Sequence, residues 1–207
     1  MIFATLFALL SFQSPFTAAP EHYKLELDND WVQIVRVHYA PGGVSKLHDH
    51  PERPTVLVYT TDGGPLKFLH KDGAIVNRPA VKAGGIRFTR GAAESHVVEY
   101  QGDQPSEYMR VELKTEPLDL PELDIRIALA DRKPFENRQV RILRVTCPPK
   151  SMCPAQAPPF YPAVIISGSE YRWFPGGVPA DANSSDAPVE QIRIELKSRP
   201  AASQRGQ

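Results

Sequence analysis

The sequence predicts an all-β protein made of two copies of one strand-rich unit. Three observations predict it: many turn-forming residues, short β-branched runs set between them, and a second occurrence of the same runs later in the chain. The 207 residues include 21 Pro and 13 Gly. Long helices do not tolerate that punctuation, whereas short strands joined by turns do. A hydrophobic fraction of 42% supplies a core, and 24 basic residues balance 24 acidic ones. A neutral chain excludes a general nucleic-acid surface, which needs clustered positive charge.

The β-branched runs come next. Residues 32–37 and 56–59 in the first half, and 140–145 and 164–166 in the second, are apolar runs separated by Pro/Gly loops. Regularly spaced short strands with turns between them predict a barrel or sandwich, and no helical period follows residue 20.

The repeat is the third observation. "LDNDWVQIVRVHYAP" from Leu27 aligns without a gap with "FENRQVRILRVTCPP" from Phe135. Asn29, Val32, Ile34, Arg36, Val37 and Pro41 recur as Asn137, Val140, Ile142, Arg144, Val145 and Pro149. "EYMRVELKTEP" from Glu107 recurs as "EQIRIELKSRP" from Glu190, so Arg110, Glu112, Leu113 and Lys114 return as Arg193, Glu195, Leu196 and Lys197. The offset shortens between the two alignments, so the second copy has lost about 25 residues from its middle. The expected organisation is a leader at 1–19, a first unit at 20–117, a second unit at 118–200 that opens on "LDLPELD", and a disordered tail at 201–207.

The leader "MIFATLFALLSFQSPFTAA" has no charged side chain and reads as a secretory signal peptide cut after Ala19. Its apolar core is too short to span a membrane, and no other segment approaches that length. The chain is therefore expected in the periplasm or outside the cell. There Cys147 and Cys153, the only two cysteines, can close the loop "CPPKSMC" as a disulfide or remain thiols.

Two of the six histidines stand in "KLHDH" (46–50). On an extended backbone His48 and His50 point to one face, and two imidazoles on one face can grip a metal ion. The stretch from Gly42, with five residues before His48-Asp-His50, resembles the first motif of the cupin superfamily. The stretch from Gly85 to His96 resembles the second, with Gly91 where the family has proline, Ala93 where it has glycine, and His96 at the ligand position. The resemblance covers residues 27–114. It implies two jelly-roll barrel units, a bicupin arrangement, with the second unit truncated and degenerate.

The resemblance also implies a divalent metal held by His48, His50 and His96. The family's glutamate position is Thr55 here, a poor ligand. Three neutral imidazoles suit Zn²⁺, Fe²⁺, Mn²⁺, Ni²⁺ or Cu²⁺ and leave positions open for water or substrate. Without the carboxylate the metal is expected to bind more weakly and to make its water more acidic. Glu52 and Glu94 lie beside the motif histidines and are expected as rim carboxylates, with a ligand or general-base role as the alternative. Tyr59 follows on the next strand, on the face of Thr55 and Leu57, and completes the weak catalytic candidates.

The second copy carries no histidine. Gln156 falls opposite His48, Pro158 opposite His50 and Asp181 opposite His96, so it reads as a metal-free packing partner. His38 is expected to face outward and His70 to end a hairpin strand; these two and His22 are expected outside the ligand set. Arg53, Arg87 and Arg90 flank the motifs; an inward one would favour an anionic ligand, but on short barrel strands all three are expected to face water. Three functions fit: a metal-dependent cupin enzyme, a non-catalytic module for a small molecule, or a structural or partner-binding protein with vestigial histidines and a Trp173-Phe174 interface. Barrel edges allow a homodimer.

Overall fold

A computed structural model describes residues 12–116, 125–127 and 134–201. The core of the expected leader, residues 118–124 of the linker and residues 202–207 of the tail lie outside the described residues. The first unit contains β1 (Tyr23–Asp28), β2 (Val32–Tyr39), β3 (His48–His50), β4 (Thr55–Tyr59), β5 (Leu66–His70), β6 (Ile75–Arg78), β7 (Ile86–Thr89), β8 (Glu94–Tyr100) and β9 (Ser106–Leu113). β10 (Ile125–Ile127) follows the expected boundary yet pairs with β7. Two antiparallel sheets result, ordered β1-β2-β9-β4-β7-β10 and β3-β8-β5-β6. Between them lie Tyr23, Tyr39, Tyr59, Tyr100 and Tyr108 with Val37, Leu57, Phe68 and Val98. This is the expected jelly-roll barrel.

The second unit contains β11 (Phe135–Glu136), β12 (Val140–Cys147), β13 (Ser151–Met152), β14 (Ala163–Ser167), β15 (Glu170–Phe174), β16 (Ala182–Asn183) and β17 (Val189–Leu196). It has one five-stranded sheet, β11-β12-β17-β14-β15, and a two-stranded ribbon, β13-β16. The residues lost from the second copy correspond to the β5–β6 hairpin, since β4 and β7 flank that hairpin whereas β14 leads almost directly into β15; the ribbon keeps the place of β3-β8, with Met152 opposite Ala182 as Val44 is opposite Glu99.

The repeat is structural at the level of single atoms. Asn29 Oδ1 accepts from the amides of Trp31 and Val32 at 2.8 and 2.9 Å, and Asn137 Oδ1 accepts from those of Gln139 and Val140 at 2.8 and 2.8 Å. Each Asn thus turns the chain into the long strand that follows, β2 or β12. Val32 pairs with Leu113 and Val140 with Leu196, so both units share one register.

Alternation places two cores on the two faces of the larger sheet. Val56, Val58, Met109, Val111 and Leu113 face the second unit and join Val140, Ile142, Val164, Ile166, Ile192, Ile194 and Leu196 in one apolar cluster. Their neighbours Leu57, Tyr59 and Tyr108 face the barrel. A related pair of arginines ties the units together. Arg36 Nη2 donates to Ser169 O at 2.8 Å, and its repeat mate Arg144 donates through Nη2 to Gly84 O at 2.7 Å.

Trp173 packs toward Trp31, ring centroids 6.5 Å apart, and Phe174 packs with Ala163, Ile165 and Val178. The aromatic pair expected to form an outer interface is therefore used inside the chain. Cys147 and Cys153 form a disulfide around the β13 turn.

A short helix, α1 (Pro15–Ala18), is capped by Ser14 and precedes β1. Ala19 is buried, and Phe16 packs against the barrel cluster. Gln13 N donates to Asp49 Oδ2 at 2.6 Å, and Asp49 N donates to Gln13 O at 2.8 Å. The segment just before the expected cut thus lies along the outer edge of β3. Among the described residues no helix is long and apolar enough to cross a membrane.

Candidate metal centre

β3 and β8 build the centre. Alternation turns His48 and His50 inward and Asp49 outward, and the register sets His48 directly opposite His96. All three histidines are buried. One ligand nitrogen from each lies within 4.8 Å of the others, and the rings sit 4.9, 4.9 and 5.2 Å apart.

Oxygen atoms behind the rings decide which nitrogen faces inward. His48 Nδ1 is 2.8 Å from Lys46 O; a carbonyl only accepts, so Nδ1 carries the proton and Nε2 keeps its lone pair. His50 Nδ1 lies 3.9 Å from Glu112 Oε1, and His96 Nδ1 lies 3.4 Å from Glu94 Oε2. Neither Nδ1 meets a hydrogen-bond partner, but the negative charge on that side of each ring favours the proton there, the same tautomer as in His48. His48 Nε2 and His50 Nε2 then face each other at 3.1 Å. With both rings in that tautomer the two lone pairs converge on one point, which suits a metal ion; with no ion bound, a proton on either Nε2 makes the same contact an N–H···N hydrogen bond.

The rings are held neutral, the state that ligation requires. Burial pushes His48 down to about 4 from 6.5, against the pull of the Lys46 carbonyl. Burial, with Arg110 next, pushes His50 well below its usual value, and burial lowers His96 as well. Burial would raise Glu94, but its contact with His96 and the nearby positive charges outweigh that and bring it to about 2. For His48 the unfolded chain takes up a proton near pH 6.5 and the folded chain only near pH 4. Between those values the unfolded state holds more protons, so stability falls as pH is lowered. Urea midpoints of chelator-treated protein are expected to drop across that window, with His50 and His96 adding in the same direction. A flat profile would contradict the buried neutral rings.

Sequence reasoning missed Glu112. It is buried and stands opposite Thr55 in the β4–β9 ladder. Thr55 itself donates its hydroxyl to Arg53 O at 3.0 Å. The carboxylate absent at position 55 is thus replaced by one on the adjacent strand, behind His50 rather than among the ligands. Arg110 Nε donates to Glu112 Oε1 at 2.9 Å, and Arg53 Nη1 lies 3.5 Å from Oε2. The trace in the sequence is the Arg110-Val-Glu112 spacing, which puts both charges on one face of the strand and recurs as Arg193-Ile-Glu195.

Glu94 is half-buried against His96, and Glu52 is exposed on the β3–β4 connection. Tyr59 faces the barrel interior, 5.1 Å from the Tyr108 ring. His38 is exposed. His70 meets His96 edge-on at 5.3 Å, and His22 stacks on Tyr39. The expectation that Arg53, Arg87 and Arg90 face water fails for the first two. Arg53 reaches Glu112, and Arg87 is half-buried between Ile86 and Phe88. Those two neighbours turn toward the second unit, so alternation turns Arg87 toward the barrel.

In the second unit Gln156, opposite His48 in the repeat, is buried as a structural residue. Its Oε1 accepts from Val178 N at 2.7 Å.

No family model matches the chain, and no curated protein matches it. Solved structures do. A putative glyoxylate-induced protein from Pseudomonas aeruginosa aligns at TM-score 0.63 and 15% identity, over 89% of this chain and 82% of its own. AerE from Microcystis aeruginosa aligns at 0.57 and 16%, over 84% and 92%. An oxalate decarboxylase from Lactobacillus farciminis, solved as a formate complex, aligns at 0.50 and 14%, over 87% and 85%. At these identities the likeness is one of fold.

Proposed function

We propose, on the premise that this chain has the two-unit cupin fold, that its first barrel holds one divalent metal ion and uses it to bind or act on a small molecule. His48, His50 and His96 hold the ion through Nε2. The observation that carries this reading is the arrangement of the rings: three Nδ1 atoms on the side of oxygen atoms, with two Nε2 atoms converging at 3.1 Å. The metal, whether Zn, Fe, Mn, Ni or Cu, would supply Lewis-acid polarisation of a ligand oxygen.

The protein's own part is to fix the rings and shape the space. Glu112 and Glu94 orient His50 and His96. Burial raises the Tyr23 hydroxyl to about 12 and Tyr108 well above its usual value, so both stay protonated even in alkaline solution. The second unit covers the apolar face of the larger sheet. The disulfide supports a periplasmic or secreted location.

Convergence of the histidines weighs against a purely structural role. The position of Glu112, outside the ligand set, favours a binding module as the second reading. Metal is expected to raise stability, since it binds only the folded site. At metal a hundredfold above its Kd the gain is about 2.7 kcal/mol. Urea unfolding with Mn²⁺, Zn²⁺ or chelator measures it, and identical curves in all three would retire the proposal.

A further inference from the structure

Arg78 ends β6, the edge strand of the smaller sheet, and pairs with Leu66, so it shares that residue's inward face. Its guanidinium carbon lies 4.0 Å from the centre of the Phe68 ring. His96 meets the same ring edge-on at 5.1 Å. One aromatic side chain therefore touches both this cation and a histidine of the metal centre.

Among the described residues Arg78 has no hydrogen bond or ion pair, and its Nε is buried without a partner. The acids of the barrel are committed elsewhere: Glu94 to His96, and Glu112 to Arg110, Arg53 and His50. The charges around Arg78 do not neutralise it. Burial lowers its pKa first and the charge of Arg87 next, against smaller opposing effects of Tyr108, Glu94 and Tyr59. A guanidinium offers five donors in a planar fork that matches a carboxylate. Arg78 is half-buried, and a fork left unpaired there beside the charge of Arg87 is unfavourable in proportion to that burial.

We infer that the barrel takes a small organic acid, with Arg78 pairing the carboxylate and the Phe68 ring forming one wall of the site. The inference rests on the metal-centre reading only for the other end of that ligand. The notable feature is that the anion-binding cation comes from the edge hairpin and not from either histidine motif.

Calorimetric titration of the full chain tests this, zinc-loaded and chelator-treated, with acetate, succinate and benzoate, each beside its neutral amide. At least one acid is expected to bind on the order of tenfold tighter than its amide, the worth of a charge-assisted hydrogen bond. Arg78→Met keeps a stem over Phe68, and it is expected to abolish that preference while zinc content stays unchanged. Arg78→Lys keeps the charge without the fork and is expected to fall between; it decides the matter if the Met variant does not fold. Acids no tighter than amides, or an unaltered preference in Arg78→Met, would overturn the inference with zinc still bound. A chain that takes up no zinc would fail the metal reading alone, and the acid-over-amide preference of the chelator-treated chain would then decide this one.

Discussion

Gly91→Ala is expected to destabilise the protein by about 3 kcal/mol or more and to weaken the metal centre with it. Gly91 has φ +76°, a conformation in which a Cβ is strained. A Cβ here would also overlap the carbonyl of Arg53, which is backbone and cannot swing aside. Arg53 lies three residues beyond His50 and contacts Glu112, so a shift there moves the connection that carries β3. Gly73 provides the control. Its φ is +90° but nothing lies within 4 Å of its Cβ position, so Gly73→Ala shows the conformational strain alone, about 1–2 kcal/mol. Urea unfolding of both variants separates the two effects. Equal losses would show that the turn yields and that the Arg53 contact is unimportant.

Glu112→Gln carries the second large effect, a loss of about 10- to 100-fold in metal affinity. The amide keeps the shape but removes the charge that holds the His50 tautomer, and it leaves Arg110 without its ion pair. Competition with a chromophoric chelator reads the affinity. Glu52→Gln, at an exposed carboxylate nearer to His50 in sequence, is expected to change nothing. Equal affinities in the two variants would mean that Glu112 only fills space.

These two residues mark where the sequence was legible. Period and repeat were readable because β2 and β12 each follow an Asn whose side chain caps the turn, and because alternation fixes the register of β2 with β9 and of β12 with β17. His48, His50 and His96 could be read because their spacing is local and the motif glycines flank them. Glu112 could not be placed, because it acts across a strand pair, opposite Thr55, and ladder partners are not adjacent in sequence. Arg78 was hidden for a related reason: only the pairing of β6 with β5 turns it inward. Arg53 and Arg87 were expected in water because a barrel strand ordinarily has a wet face. Here the larger sheet is covered on both faces, one by the barrel and one by the second unit. Gln13, in the segment read as the end of a leader, pairs with Asp49 on the outer edge of the histidine strand.

The most direct test of the metal centre is elemental analysis of protein purified from a metal-supplemented culture, beside a His48→Ala, His50→Ala double variant. Circular dichroism confirms that both are folded. Close to one divalent metal ion per chain is expected in the wild type and essentially none in the variant. A folded wild type without metal, or a variant that keeps it, would contradict the account and leave the two histidines of "KLHDH" as residues of the barrel mouth.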